Sequence, residues 1–135
     1  MLQFYFLSIV MNLLAGYMLF TGDTGAVLAF KSGFSLKDET VRLIVGIVSV
    51  IVGLMKVLSV TRGDVPVIGD LVPALTGFLS GFVLIFEYYR NRTGQDNPEK
   101  TNGINRILVN NRKIIGVAAL IAAVLHFLFP EVLLL

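Results

Sequence analysis

Four long stretches free of charge dominate the chain. Met1 to Gly22 carries no charged side chain, and Leu43 to Met55 is uncharged and continues past a lone Lys56 to Val60. Leu71 to Phe86 is uncharged and ends near the pair Tyr88-Tyr89, and Ile114 to Pro130 is interrupted only by His126. A hydrocarbon core of about 30 Å takes roughly 20 residues at about 1.5 Å each. The pattern predicts an all-α integral membrane protein with four transmembrane helices, at about 2–22, 40–60, 69–89 and 113–133, in one domain of residues 1–135. The first stretch has no basic residue ahead of it and no convincing small-x-small cleavage site, so it is expected to be a retained helix. Leu14-Ala15-Gly16 is followed by Tyr17, where lipoprotein processing would need Cys.

The polar positions inside these stretches repeat. At an offset of 70, Arg42 matches Arg112, Gly46 matches Gly116, Ser49 matches Ala119, Gly53 matches Ala123 and Lys56 matches His126. At an offset of 65, Leu14-Ala15-Gly16-Tyr17 matches Leu79-Ser80-Gly81-Phe82 more weakly. The expectation is two related two-helix hairpins, about 1–60 and 65–135, joined by a pseudo-twofold axis along the membrane normal. Lys56 and His126 would then lie at equal depth across that axis.

Helices in lipid associate by close backbone approach and polar contacts, so small residues three or four apart mark contact faces. The first span offers Ser8, Asn12 and Gly16, the second Gly46, Ser49 and Gly53, the third Ala74, Gly77 and Gly81, and the fourth Ala119 and Ala123. Gly77 to Gly81 is a GxxxG, expected to pack within the chain, and Asn12 is expected to hydrogen-bond across a helix interface. Ser35-Leu36-Lys37-Asp38 fits a capping box, which would start the second helix well before Arg42. Pro98 suits a first helical position, with Ile104, Ile107 and Leu108 on one face of a short helix on the inner leaflet.

Composition agrees with a membrane location. The chain is 56% hydrophobic and 15% charged, where a soluble domain is about 25% charged. With no Cys and one His, a disulfide framework, a thiolate zinc site and a multi-histidine metal site are excluded, and no cofactor is expected. Basic side chains set the orientation. Loop one and its flank hold Lys31, Lys37 and Arg42, and loop three holds Arg90, Arg92, Lys100, Arg106, Arg112 and Lys113. The opposite side has only Lys56 and Arg62. This predicts a cytoplasmic (inner) membrane protein with both termini outside and loops 21–40 and 90–112 cytoplasmic. The net charge of +2 then reflects topology and attraction to anionic lipid rather than nucleic-acid binding.

Ionisable groups at membrane depth are costly and point to function. Lys56, Asp70, His126 and Glu131 fall toward the outer side, where they can form one polar pocket containing a titratable imidazole. The structural alternative has Lys56 snorkelling to the interface, Asp70 capping a helix and His126 bonded to a carbonyl. No catalytic constellation assembles from these pieces, so the expectation is a non-enzymatic protein. The favoured role is an accessory or scaffold subunit that packs against other membrane subunits or itself through its small-residue faces. The alternative is a small transporter or channel with the outward pocket as its working part.

Overall fold

A computed structural model describes residues 2–21, 38–58, 71–93 and 103–129, and the elements within them are all α-helices. They are α1 (Leu2–Thr21), α2 (Glu39–Leu58), α3 (Leu71–Thr93), α4 (Gly103–Asn110) and α5 (Arg112–Leu128). Three of them, α1, α2 and α3, are long and apolar enough to cross a membrane by length and composition. At 17 residues, α5 is shorter than the expected fourth span. It begins within one residue of that span and stops at Leu128, with Phe129 closing its last turn by donating its N–H to the Leu125 carbonyl at 2.8 Å.

Local chemistry sets the helix ends. The Asp38 carbonyl accepts the Arg42 N–H at 3.0 Å, so α2 starts at Glu39, whose carboxylate suits the positive end of a helix. Within the expected capping box Asp38 therefore lies outside the helix, and Ser35 lies outside the described residues. α3 carries Pro73 in its first turn, where a missing N–H leaves no intrahelical bond unmade, and Arg90 and Arg92 in its last turn. The short helix of loop three begins at Gly103; Pro98 lies outside the described residues. Leu108 packs on the core while Ile107 is exposed, so the two do not share the apolar face expected of them. Asn111 joins α4 to α5, donating to the Ile107 carbonyl at 3.2 Å and accepting from the Ile115 N–H at 2.9 Å.

The most extensive helix contacts are α2 with α3 and α1 with α5, followed by α1 with α2 and α3 with α5. α1 and α3 also touch each other. If α1 is exchanged with α3 and α2 with α5, this set of contacts maps onto itself. Burial follows the same exchange. The buried positions of α1 are 8, 9, 12, 15, 16, 18 and 19; adding 65 gives 73, 74, 77, 80, 81, 83 and 84, all buried in α3. Positions 46, 49, 52, 53 and 56 of α2, shifted by 70, are the buried positions of α5. The outward stripe also repeats: Ile44, Ile47, Ile51, Leu54 and Leu58 correspond to Ile114, Val117, Ile121, Val124 and Leu128, all exposed.

Close approach is made by glycine. A Cβ on Gly81 would lie 2.6 Å from the Gly46 carbonyl oxygen, and one on Gly16 would lie 2.8 Å from the Gly116 carbonyl oxygen. These two crossings, α3 on α2 and α1 on α5, use positions related by the same offsets. Gly53 lies against the Ala74 carbonyl, at 2.9 Å from its notional Cβ. Beside the glycine crossings a cluster of Ala15, Met18, Leu19, Val45, Val83 and Leu84 forms the apolar core.

Candidate functional site

On α2, Arg42, Ser49 and Lys56 are spaced by seven residues and all are buried. Seven residues are two turns with a drift of about 20°, so the three side chains share one inward stripe. α5 carries the matching stripe of Arg112, Ala119 and His126, of which the last two are buried. The basic residues thus fall into two layers, about 21 Å apart along the helix axis at about 1.5 Å per residue.

The first layer joins Lys56, His126 and Tyr5. Lys56 Nζ lies 3.5 Å from His126 Nε2, at the limit of hydrogen bonding. If the ammonium donates there, Nε2 is the acceptor and the imidazole hydrogen sits on Nδ1. The Tyr5 hydroxyl donates to the His126 carbonyl at 2.7 Å, and its ring lies 4.6 Å from the imidazole, centroid to centroid. Lys56 Nζ sits 5.5 Å from the Tyr5 ring centroid, within reach of a cation–π attraction. Relative exposure is 7% for Lys56 and 1% for His126; the lysine is enclosed rather than snorkelling. Asp70 and Glu131, the other members of the expected pocket, lie outside the described residues.

The second layer is ionic. Glu87, 4% exposed, receives Arg42 Nη2 on Oε2 at 3.0 Å and Arg112 Nη1 on Oε1 at 2.9 Å. The Arg42 contact is a hydrogen bond. The Arg112 contact is as short but off the line of one, so charge holds that oxygen rather than a well-aligned bond. Arg112 Nε donates to the Leu19 carbonyl at 3.4 Å, which ties α1 to the layer. At the exposed edge Arg92 lies 4.0 Å from Glu39 and stacks 5.5 Å from the Tyr88 ring centroid.

Between the layers, polar groups join α1 to α3. Asn12 Nδ2 donates to the Pro73 carbonyl at 3.0 Å and to the Ser8 carbonyl at 3.1 Å, and Asn12 Oδ1 accepts from the Thr76 hydroxyl at 3.0 Å. Gly77 lies beside the Asn12 amide, which a Cβ there would meet in ordinary contact at 3.4 Å. Ser80 donates to the Thr76 carbonyl at 2.6 Å. The Ser8 and Ser49 hydroxyls are buried with no hydrogen-bond partner among the described residues.

All the small residues expected on packing faces are buried: Ser8, Asn12, Gly16, Gly46, Ser49, Gly53, Ala74, Gly77, Gly81, Ala119 and Ala123. The GxxxG is spent within the chain, with Gly81 on α2 and Gly77 on Asn12. Sequence reasoning passed over Glu87, Tyr5 and Thr76, and used Arg42 and Arg112 only as topology markers. The heptad spacing from Ser80 to Glu87, matching Ser49 to Lys56, was the available signal for the acid. Among the described residues no three His, Cys, Asp or Glu side chains gather as a metal site.

This arrangement defines an all-helical protein with apolar helices of membrane-crossing length and two enclosed polar layers, a composition compatible with a membrane protein. A family model with no activity attached to it matches residues 1–126. An uncharacterized protein of Treponema pallidum (strain Nichols) is 34% identical over 135 residues, which is the whole of both chains. The chain belongs to this family. No solved structure matches it.

Proposed function

We propose that the protein is a non-enzymatic integral membrane protein of four crossings, α1, α2, α3 and α5, built from two related hairpins. It lies in the cytoplasmic (inner) membrane with its termini outside and the arginine layer toward the cytoplasm. The coincidence of buried, exposed and glycine-crossing positions at offsets of 65 and 70 supports the duplication. The excess of Lys and Arg in loops one and three supports the orientation.

Within that frame the chain acts as a small transporter or channel whose polar pocket is centred on Lys56, His126 and Tyr5. One observation carries this reading: Lys56 Nζ meets His126 Nε2 at 3.5 Å in an enclosed position. A lysine with a long flexible stem normally reaches water if it can. Here the side chain is held against an imidazole, a group able to accept and pass a proton near neutral pH.

The accessory-subunit reading keeps one support, the two outward stripes of large apolar side chains on α2 and α5. The small residues are turned inward, so a partner subunit would have to meet these stripes in place of lipid. Substitution separates the two readings. Lys56→Met and His126→Gln should abolish proton- or solute-dependent flux in proteoliposomes that carry matched amounts of folded protein. Unchanged flux in both variants would remove the pocket from the mechanism. Stoichiometric co-purification of larger membrane chains would favour the accessory role.

A further inference from the structure

The helix pairs that pack most extensively, α2 with α3 and α1 with α5, are not the two hairpins of the repeat. Each joins a helix of one hairpin to a helix of the other, and each is locked by glycine. Gly46 and Gly81 bring the α2 and α3 backbones together, as Gly16 and Gly116 do for α1 and α5. Helices in lipid hold to one another by such close approach, so each pair forms a tight body. Polar contacts cross the seam between the bodies at three levels. At one end Lys56 of α2 meets His126 of α5 at 3.5 Å. At the other, Glu87 of α3 meets Arg112 of α5 at 2.9 Å. Between them Asn12 of α1 donates to the Pro73 carbonyl and accepts from the Thr76 hydroxyl, both on α3 and both at 3.0 Å. Asn12 stands seven residues from Tyr5 at the lysine end and seven from Leu19 at the arginine end, about 10.5 Å each way.

The two halves of the seam differ. On the arginine side of Asn12 an apolar cluster reaches across it, with Ala15, Met18 and Leu19 from one body against Val45, Val83 and Leu84 from the other. On the lysine side the buried residues are mainly small, among them Ser8, Gly53, Ala74, Ala122 and Ala123. Small side chains bury little apolar area across an interface, and regions of low apolar contact are the ones that open locally. We propose that the bundle opens at its lysine end, the α2–α3 body swinging away from the α1–α5 body about Asn12 while the arginine end stays shut. The swing parts Lys56 from His126. It leaves intact the bond from the Tyr5 hydroxyl to the His126 carbonyl, since both groups belong to one body. It also lets water reach the Ser8 hydroxyl, which is buried with no hydrogen-bond partner among the described residues and gains from one. The motion is inferred from packing; its use as the outward gate of a transporter rests on the reading given above.

The chain contains no Cys, so pairs of spin labels can be placed on cysteines introduced at exposed positions of the full chain. Distances are then measured by pulsed electron resonance in lipid nanodiscs. The pair at positions 3 and 58 spans the seam at the lysine end, and the pair at 91 and 113 spans it at the arginine end. Pairs 3 and 129, and 39 and 91, each lie within one body. The expected result is a broad or two-component distribution for 3 and 58 and narrow ones for the other three. Lys56→Met should shift the 3 and 58 distribution to longer distances and leave the others in place. A 3 and 58 distribution as narrow as those within the bodies, and unmoved by Lys56→Met, would overturn the proposal. So would equal broadening of 3 and 129, which would mean that the end of α1 moves alone, or broadening confined to 3 and 129 and to 39 and 91, which would make the hairpins the moving units. If the distances behave as expected while flux is unchanged in Lys56→Met, the opening stands and the transport reading fails. If flux is lost while the distances stay fixed, the pocket stands and the opening fails.

Discussion

The arginine layer and the lysine–histidine layer occupy matching positions on α2 and α5, yet they accommodate buried charge in different ways. In the first, two guanidiniums share one carboxylate donated by α3. In the second, one ammonium leans on an imidazole and the face of a tyrosine from α1. Removing one partner of a buried ion pair leaves the other charge poorly compensated in a low-dielectric interior. One end of the bundle therefore joins two cations through a shared acid, and the other sets a cation against an imidazole and an aromatic face.

The largest effect should come from the shared acid. Glu87→Gln removes the carboxylate that Arg42 and Arg112 share and is expected to cost about 3–5 kcal/mol, seen as loss of folded protein or a steep fall in melting temperature. Lys56→Met, at the other end, removes a cation rather than a shared acid and should lower melting less than Glu87→Gln does. Equal losses at the two ends would erase the distinction between them.

A second comparison sets the two glycine crossings side by side. Gly81→Val drives a side chain into the Gly46 carbonyl, and Gly16→Val drives one into the Gly116 carbonyl. Each overpacking should cost about 1–3 kcal/mol, with losses of similar size at the two crossings if the hairpins are equivalent. Melting of the two single variants checks this. A harmless substitution at one crossing alone would break the equivalence of the halves.

The smallest effect concerns the middle of the bundle. Asn12→Ala removes the bonds to the Pro73 carbonyl and the Thr76 hydroxyl, and an interhelical hydrogen bond in a membrane protein averages about 0.6 kcal/mol. A loss of roughly 1 kcal/mol is expected, read by melting or by urea-dependent unfolding in detergent. A much larger loss would place Asn12 among the supports of one of the charged layers.

Much of this fold is legible in the chain itself. Uncharged runs mark α1, α2 and α3 because a helix in lipid must be apolar over about 20 residues. The matched series from Arg42 to Lys56 and from Arg112 to His126 already set Lys56 opposite His126, the contact found at 3.5 Å. Glu87 was hidden because it ends an apolar run. An acid at the end of a span reads as a flank until α3 is seen to continue to Thr93. Tyr5 was hidden because an aromatic side chain in an apolar helix carries no positional signal. Arg42 and Arg112 read as topology markers, since basic residues at helix starts do fix orientation; nothing in the spacing says that one acid joins them.

Whether α5, at 17 residues, crosses the membrane decides between four crossings and three. The chain contains no Cys, so single substitutions Gln3→Cys, Asn91→Cys, Asn111→Cys and Phe129→Cys, all at exposed positions, can be labelled in intact cells with a membrane-impermeant maleimide. Four crossings with the arginine layer inside predict labelling at positions 3 and 129 in intact cells, and at 91 and 111 only after permeabilisation. Labelling of 111 and 129 from the same side would mean that α5 does not cross, and would contradict the two-hairpin architecture.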